Sequence, residues 1–171
     1  MPTSTTCPRL ALIALTSALA LPAFASGWSP CPGFERGASN QHNAVFFSPY
    51  THHWRYSEEH RNVVLIGLQR HLPNNRSCGI SFFTNSFGQP SLYAFTGWTW
   101  NAQRLPNWQA SVTAGMLYGY VAPHEDKVPL NHRGFSPAVI PSIGYRLNDR
   151  TVAEMHILGT AALMFGVSRD F

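Results

Sequence analysis

The chain has 171 residues, of which only 12% are charged and 13% are aromatic, and its formal net charge is +4. So few charged side chains are unusual for a soluble enzyme of this size. The basic excess forms no clustered stripe, which excludes a nucleic-acid-binding footprint, whereas anionic lipid head groups remain compatible partners.

The N-terminus carries the pattern of a secretory signal. One basic residue, Arg9, precedes an apolar stretch from Leu10 to Phe24, and Ala23-Phe24-Ala25 has the small-x-small pattern that signal peptidase recognises. The apolar stretch is shorter than the roughly 20 residues of a membrane-spanning helix, which favours a cleaved signal over an anchor. We therefore predict an exported protein whose mature chain begins at Ser26.

Two cysteines, Cys31 and Cys78, remain in the mature chain. An oxidising periplasm permits a disulfide between them, which would pin the N-terminal segment to the rest of the protein. Spacing alone does not distinguish this bond from two free thiols, so both alternatives stay open.

From Ala44 onward the chain alternates between two kinds of residue. In the clearest stretch, residues 108–120, small or polar residues occupy every second position and mainly large or apolar residues occupy the positions between them. This pattern is expected for a strand between lipid and a packed interior. A helix would not sort residues in this way. The last segment alternates likewise and ends in Phe171, which is typical of outer-membrane barrels and is the expected contact with the barrel-assembly machinery. The predicted lipid-facing set of the clearest stretch is Trp108, Ala110, Val112, Ala114, Met116, Tyr118 and Tyr120.

The pattern predicts an all-β protein, an antiparallel transmembrane β-barrel of about eight strands in the outer membrane. Closure matters because an open strand edge in lipid would leave backbone groups without hydrogen bonds. Both termini and the turns at Pro73-Asn74-Asn75 and Asn148-Asp149 are expected on the periplasmic side, and the link from Val121 to Gly134 outside. The predicted domains are a signal peptide at 1–25, an N-terminal periplasmic segment at 26–43 and the barrel at 44–171. The predicted strands are 44–56, 62–72, 77–86, 90–100, 108–120, 136–147, 150–158 and 161–171.

Two polar residues are expected to meet at the outer end of the barrel. His53 has inward parity on the first strand, whereas its neighbour His52 faces lipid, and Ser86 lies where the third strand reaches the same rim. An imidazole and a hydroxyl brought together can serve as base and nucleophile in acyl transfer. Rim loops are rich in both residue types, so these residues alone are also compatible with a structural role.

A second polar pair, Glu154 and His156, shares the inward face of the seventh strand. The pair is either a second acid–base site or a buried contact that plugs the lumen, and the latter is favoured because isolated charges inside a narrow barrel need partners. The histidines and cysteines show no spacing typical of a metal site, and we expect no metal.

Several motifs resemble segments of the lipid A palmitoyltransferase family PagP, in the same order over roughly residues 48–171. That family has a catalytic Asp-Ser pair that leads into a strand with Gly-Trp, and a catalytic histidine in a Thr-x-His-x-Arg-aromatic strand. The matching segments here are Thr51-His52-His53-Trp54-Arg55-Tyr56, Asn85-Ser86, Gly97-Trp98, Thr113-Ala114-Gly115, Pro137-Ala138-Val139-Ile140-Pro141 and Ile143-Gly144-Tyr145.

The resemblance implies an acyltransferase that moves a palmitoyl chain from a phospholipid donor to lipid A in the outer leaflet, without a cofactor. His53 would be the catalytic histidine and Ser86 the catalytic serine. The family's aspartate falls on Asn85, and an amide cannot stabilise an imidazolium as a carboxylate does. Either another acid such as Glu58 or Glu59 compensates, or the activity is weak or lost. A second departure is that residues 27–43 lack the periodicity of the family's amphipathic helix.

The resemblance also marks tentative substrate-binding residues. Gly97 falls where the family has a residue that limits acyl-chain length. Lys127 and Arg133 in the long outer loop could meet lipid A phosphates, or belong to an ordinary solvated loop. Small inward residues could leave room for an acyl chain or serve sheet curvature and close packing, and these are Gly115, Gly119 and Gly144.

Two other functions remain open at this stage. One is a non-enzymatic structural or interaction barrel, for which Asn85 is the best support. The other is a lipid A deacylase or phospholipase on the same scaffold, which would release a fatty acid instead of transferring it.

Overall fold

The computed structural model describes Cys31 and residues 42–171, which form a closed barrel of eight antiparallel strands. Each strand pairs with its neighbours in chain order, and β1 pairs with β8. The predicted fold class is confirmed, and no strand end differs from its predicted position by more than three residues. The signal peptide, and most of the segment at 26–43, lie outside the described residues. The strands are β1 His42–His53, β2 Leu65–Leu72, β3 Arg76–Thr84, β4 Pro90–Asn101, β5 Trp108–Tyr118, β6 Phe135–Asn148, β7 Thr151–Leu158 and β8 Ala162–Asp170.

The two faces of the barrel wall differ in chemistry. Outward side chains are large, apolar and exposed, as a lipid-facing band requires, and they include Phe47, Ile66, Leu68, Phe82, Trp100, Met116, Val139, Phe165 and Val167. Inward positions hold buried hydroxyl side chains, among them Ser48, Thr51, Ser77, Ser81, Ser91, Ser136, Ser142 and Ser168. Among the described residues, no helix is long and apolar enough to cross a membrane.

The two ends of the barrel differ in their loops. The end with both strand termini, His42 and Asp170, is here named the termini rim, and it carries the tight turn after β2, where Asn74 and Asn75 have φ angles of 63° and 60°. Two successive left-handed residues match a hairpin turn whose twist suits the flanking strands. The opposite end is named the loop mouth, and it carries the longer loops, including the 121–134 link with its short 3₁₀ helix, Glu125–Lys127.

An irregularity in β1 reverses which of its alternating side chains point into the barrel. Opposite β8, Phe47 pairs with Val167 and the next paired residue is Tyr50, which pairs with Phe165, so β1 contains one extra residue. The Ser48 hydroxyl is fully buried and donates a 2.7 Å hydrogen bond to the Phe165 carbonyl inside this bulge. Because side chains alternate along a strand, one extra residue moves all later side chains to the other face.

A disulfide between Cys31 and Cys78 ties the N-terminal segment to the barrel wall, with 5.4 Å between the two Cα atoms. Cys78 has the outward parity of Ile80 and Phe82 on β3, yet it is only 1% exposed. Of the two alternatives left open by the sequence, the bonded one is therefore present, and it attaches the segment to the outer surface of the barrel.

Candidate active site at the loop mouth

His53 and Ser86 meet at the loop mouth. His53 is the last residue of β1, and Ser86 lies in the loop that joins β3 to β4. The Nε2 atom of His53 and the Oγ atom of Ser86 are 2.7 Å apart, within hydrogen-bonding distance. The β1 bulge is what makes the contact possible, since both Phe46 and His53 line the interior although they have opposite parity. The predicted juxtaposition of these two residues is therefore present.

Asn85 holds the loop that carries Ser86 and does not contact His53. The fully buried Asn85 side chain accepts hydrogen bonds from the backbone N–H groups of Phe87 and Gln89, each at 3.0 Å. Its amide group donates to the Gln89 side chain at 3.1 Å and to the Gly119 carbonyl at 3.2 Å. The resemblance placed Asn85 among the catalytic residues, but its hydrogen bonds go to the surrounding loops and not to His53.

No carboxylate takes the place of the family's aspartate in the described part of the chain. Glu58 and Glu59, the predicted alternatives, are exposed and form no ion pair with His53. The ring of His60 lies beside that of His53 instead, with 4.4 Å between the ring centroids. The imidazole of His53 is thus flanked by a second imidazole rather than by an acid.

Tyr120 is a further member of the site. The sequence pattern had predicted that this residue faces lipid, and that prediction is wrong. β5 ends at Tyr118, and Gly119 has a φ of +133°, a conformation that favours glycine. The chain turns there, and Tyr120 lines the interior, where its hydroxyl interacts with Ser86. Burial raises the pKa of Tyr120, and the hydrogen bond with Ser86 only partly opposes this shift. Tyr120 therefore remains a hydroxyl donor at neutral pH. The glycine just before it was the one available signal in the sequence.

The loop mouth opens into a cavity of about 1080 Å³ inside the barrel. His53, Ser86 and Tyr120 line its upper part, while Phe46 and Phe95 lie in its lower part. These two rings pack closely against wall glycines, since a Cβ atom at Gly166 or Gly79 would lie 2.5–2.6 Å from them. The volume slightly exceeds the range of about 300–1,000 Å³ found for small-molecule sites.

The predicted substrate-binding residues have different positions in the structure. Lys127 lines the cavity at its mouth, 5.9 Å above the ring of Phe87. Arg133 is exposed and does not line the cavity. Gly97 is also outside the cavity, because it packs against Val112, Ser77 and Thr113. The geometry thus supports a cavity role for Lys127 but not for Gly97 or Arg133.

The other glycines that were predicted to leave room for a chain serve close packing instead. A Cβ atom at Gly115 would collide with the backbone of Ala94, and one at Gly119 with Ser91. Gly144 is packed against the side chains of Gln109 and Val152. None of the three lines the cavity, because the neighbouring strands already occupy that space.

Glu154 and His156 form a closed polar network nearer to the termini rim. The Oε2 atom of Glu154 is 3.0 Å from the Nε2 atom of His156, and Ser168 donates a 2.6 Å hydrogen bond to Oε1. Ser142 lies 2.7 Å from the Nδ1 atom of His156. With partners on both sides of the pair, this arrangement matches the predicted buried contact that fills the lumen.

A third polar cluster at the termini rim was missed by sequence reasoning. His42, His71 and Asp170 each offer a ligand atom within 4.8 Å of the others. Their separation along the chain hides the cluster, and only the register of β1 against β2 and β8 brings them together.

Comparison with known proteins gives the fold but not the family. No protein-family model and no curated protein matches the chain. The chain is similar to a barrel from "De novo design of transmembrane beta-barrels", with a TM-score of 0.52 and 13% identity over 76% of this chain and 95% of that one. A second similar structure is the Yersinia pestis outer membrane protein Ail in a phospholipid bilayer nanodisc, with a TM-score of 0.41 and 11% identity over 76% of this chain and 99% of Ail. The fold and its apolar outer face define an eight-stranded transmembrane β-barrel of the outer-membrane type.

Proposed function

We propose that this barrel is an acyltransferase of the outer membrane, which moves a fatty acyl chain such as palmitate from a phospholipid to lipid A. The observation that carries the proposal is the 2.7 Å contact between His53 and Ser86 at the mouth of a cavity inside the barrel. The resemblance to the PagP family in the order of several motifs supports the same reaction.

In the first step, His53 accepts the proton of Ser86 while the serine oxygen attacks the ester carbonyl carbon of the phospholipid. The bond from the acyl carbon to the glycerol oxygen breaks, and that oxygen takes the proton from His53. In the second step, a lipid A hydroxyl attacks the acyl-serine and gives its proton to His53, which returns it to Ser86. One ester replaces another, so the reaction needs neither water nor a cofactor.

Tyr120 is the donor best placed to stabilise the charge that develops on the carbonyl oxygen. Its hydroxyl interacts with Ser86, and its raised pKa keeps it protonated. A fixed hydrogen-bond donor in a site that excludes water stabilises the transition-state charge far more strongly than the same donor in solution. This group acts on the carbonyl oxygen and does not replace the carboxylate that would stabilise the imidazolium of His53.

Openings in the barrel wall support access for lipids from the side. Pairing of β6 with β7 covers only Ser142 to Asn148, and among the described strands Phe135–Pro141 has no partner on that side. Val139, which lies in this stretch without a β7 partner, is 65% exposed on the outer face and is also among the residues that line the cavity. Similarly, β1 has no β2 partner beyond Ser48 among the described pairs. Both openings lie in the half of the barrel that holds His53.

The test uses purified barrel in detergent micelles with a phospholipid that carries a labelled acyl chain, together with lipid A. We expect the label to appear on lipid A, as detected by mass spectrometry and thin-layer chromatography. Ser86→Ala should reduce the transfer about 10³-fold or more, since it removes the nucleophile. His53→Ala should have a similar effect.

Matched controls separate chemistry from folding. His52 lies next to His53 but faces outward, and Ser57 lies in the loop after β1. His52→Ala and Ser57→Ala should therefore retain transfer. If the wild-type barrel is folded and no label reaches lipid A, or if Ser86→Ala remains fully active, the transferase proposal is wrong.

Two other outcomes define the alternative functions. Release of labelled fatty acid would indicate a lipid A deacylase or phospholipase that uses the same His53–Ser86 pair. No change in either lipid would indicate a structural or interaction barrel, a function favoured by the absence of an acid near His53 in the described chain.

A further inference from the structure

Three potential metal ligands meet inside the termini rim, at the opposite end of the barrel from the His53–Ser86 site. His42 begins β1, and its direct partner across the β1–β2 pair is His71. Asp170 is the last residue of β8 and pairs with Ala44, which places it diagonally across from His42. All three residues have inward parity on adjacent strands, so their side chains converge on one point of the rim.

The distances between the three side chains are close to those of a zinc site. The Nε2 atom of His42 is 3.4 Å from the Oδ2 atom of Asp170. Two ligands bound to Zn²⁺ at about 2.0–2.2 Å in tetrahedral geometry are also separated by roughly 3.4 Å. All three ligand atoms lie within 4.8 Å of one another, so a rotation of the His71 ring and a shift of roughly 1–2 Å would complete the set.

The rings of two of the three residues lie within reach of one shared ion once one of them rotates. The rings of His42 and His71 are stacked, with centroids 4.5 Å apart and 17° between their planes. Two protonated imidazoles at this distance would repel each other, whereas two neutral ones can both bind a metal. The amide nitrogen of Gln69 lies 3.4 Å from the Nε2 atom of His71 and contacts that ring from the same strand.

We infer that His42, His71 and Asp170 bind a divalent transition metal, with Zn²⁺ as the best fit. Two imidazoles with one carboxylate form a known zinc ligand set that leaves a fourth position for water. The side chain of His42 is 50% exposed, which gives an ion from the surrounding solvent access to the site. Mg²⁺ and Ca²⁺ prefer oxygen ligands and fit poorly.

Such an ion would have a structural effect that does not depend on the proposed acyl transfer. It would join β2, β1 and β8, and therefore the seam at which the first and last strands close the barrel. An ion that binds only the folded protein shifts the unfolding equilibrium in favour of the fold. Zinc should thus raise the midpoint temperature of unfolding.

The experiment titrates Zn²⁺ into untagged, EDTA-treated barrel in detergent micelles, by calorimetry or by competition with a chromophoric chelator. We expect one ion per barrel, and a rise in the unfolding midpoint that Mg²⁺ does not reproduce. Asp170→Asn, His71→Ala and His42→Gln should each weaken zinc binding at least tenfold. His42→Gln alters an exposed residue at the start of a strand, so it should fold even if the other two variants do not.

A second pair of neighbouring imidazoles, which are tilted instead of stacked, provides the matched control. His60 lies beside His53 at the loop mouth, with no carboxylate at ion-pair distance in the described residues. His60→Ala should therefore leave zinc binding unchanged. The inference is wrong if the folded wild type binds no zinc, if binding survives both His42→Gln and Asp170→Asn, or if it is lost in His60→Ala instead. Failure of the acyl-transfer assay would leave this result unaffected.

Discussion

The loop mouth and the lower half of the barrel contain the same kinds of polar residue. The two regions differ in how many partners those residues have. Near the termini rim, the imidazole of His156 lies between Glu154 and Ser142, and Ser168 completes the network. At the loop mouth, His53 touches one hydroxyl and no acid among the described residues, and both His53 and Ser86 line an open cavity.

This difference separates a structural role from a chemical one. A network of polar groups that pair with one another stabilises a packed interior, because an unpaired buried group is costly. A hydroxyl and an imidazole that face a cavity have capacity left for a substrate. Composition alone would not distinguish the two regions, since each combines histidine with serine.

The largest expected effect comes from deletion of Pro49, which removes the extra residue of the β1 bulge. His53 should then turn outward, because every later side chain of β1 changes face. We expect acyl transfer to fall by about 10³-fold or more in the labelled-phospholipid assay, the same loss as that expected for His53→Ala, because both changes remove the general base.

Pro49→Ala is the control for this deletion, since it keeps the residue count and therefore the bulge. It should retain most of the activity. Full activity in the deletion variant, with the barrel folded as judged by circular dichroism, would show that the bulge does not position His53.

A smaller effect, on stability instead of activity, is expected from Glu154→Gln. The side chains of Glu154 and His156 are only 10% and 18% exposed, so the substitution breaks a largely buried pair. The free energy of unfolding should fall by about 3 kcal/mol, measured by urea denaturation in micelles. Acyl transfer by the folded variant should change little. Glu58→Gln in an exposed loop is the control, and an equal loss there would contradict this role for Glu154.

The smallest effect is expected from Asn85→Asp, although the sequence resemblance alone would predict a gain in activity. The amide of Asn85 donates to the Gln89 side chain and to the Gly119 carbonyl, and a carboxylate would face both oxygens without a proton to donate. We expect a loss of about 1–3 kcal/mol in the free energy of unfolding and no increase in transfer rate. A faster enzyme would instead indicate that the carboxylate reaches His53.

Most of the fold could be predicted from the sequence, because a strand that faces lipid on one side and a packed interior on the other has a period of two. The turn at Asn74 and Asn75 was also predictable, since asparagine tolerates left-handed backbone conformations. The bulge at Ser48 and Pro49 was not predicted. It depends on the register of β1 against β8, two strands at opposite ends of the chain.

The candidate site was predictable only in part. The pairing of His53 with Ser86 followed from strand parity and from the motif resemblance. The roles of Asn85, Gly97 and Tyr120 did not, because each depends on what packs around it: the loop hydrogen bonds of Asn85, the wall contacts of Gly97, and the chain reversal at Gly119 that turns Tyr120 inward.

The amino-acid pattern alone specifies a barrel with an apolar outside and a polar inside, because alternation along each strand is a local property. Which polar residues meet depends on the three-dimensional fold. The His42–His71–Asp170 cluster, the Glu154–His156 network and the open His53–Ser86 pair all depend on how separate strands align when the barrel closes. Register is a relation between distant segments, and no single segment encodes it.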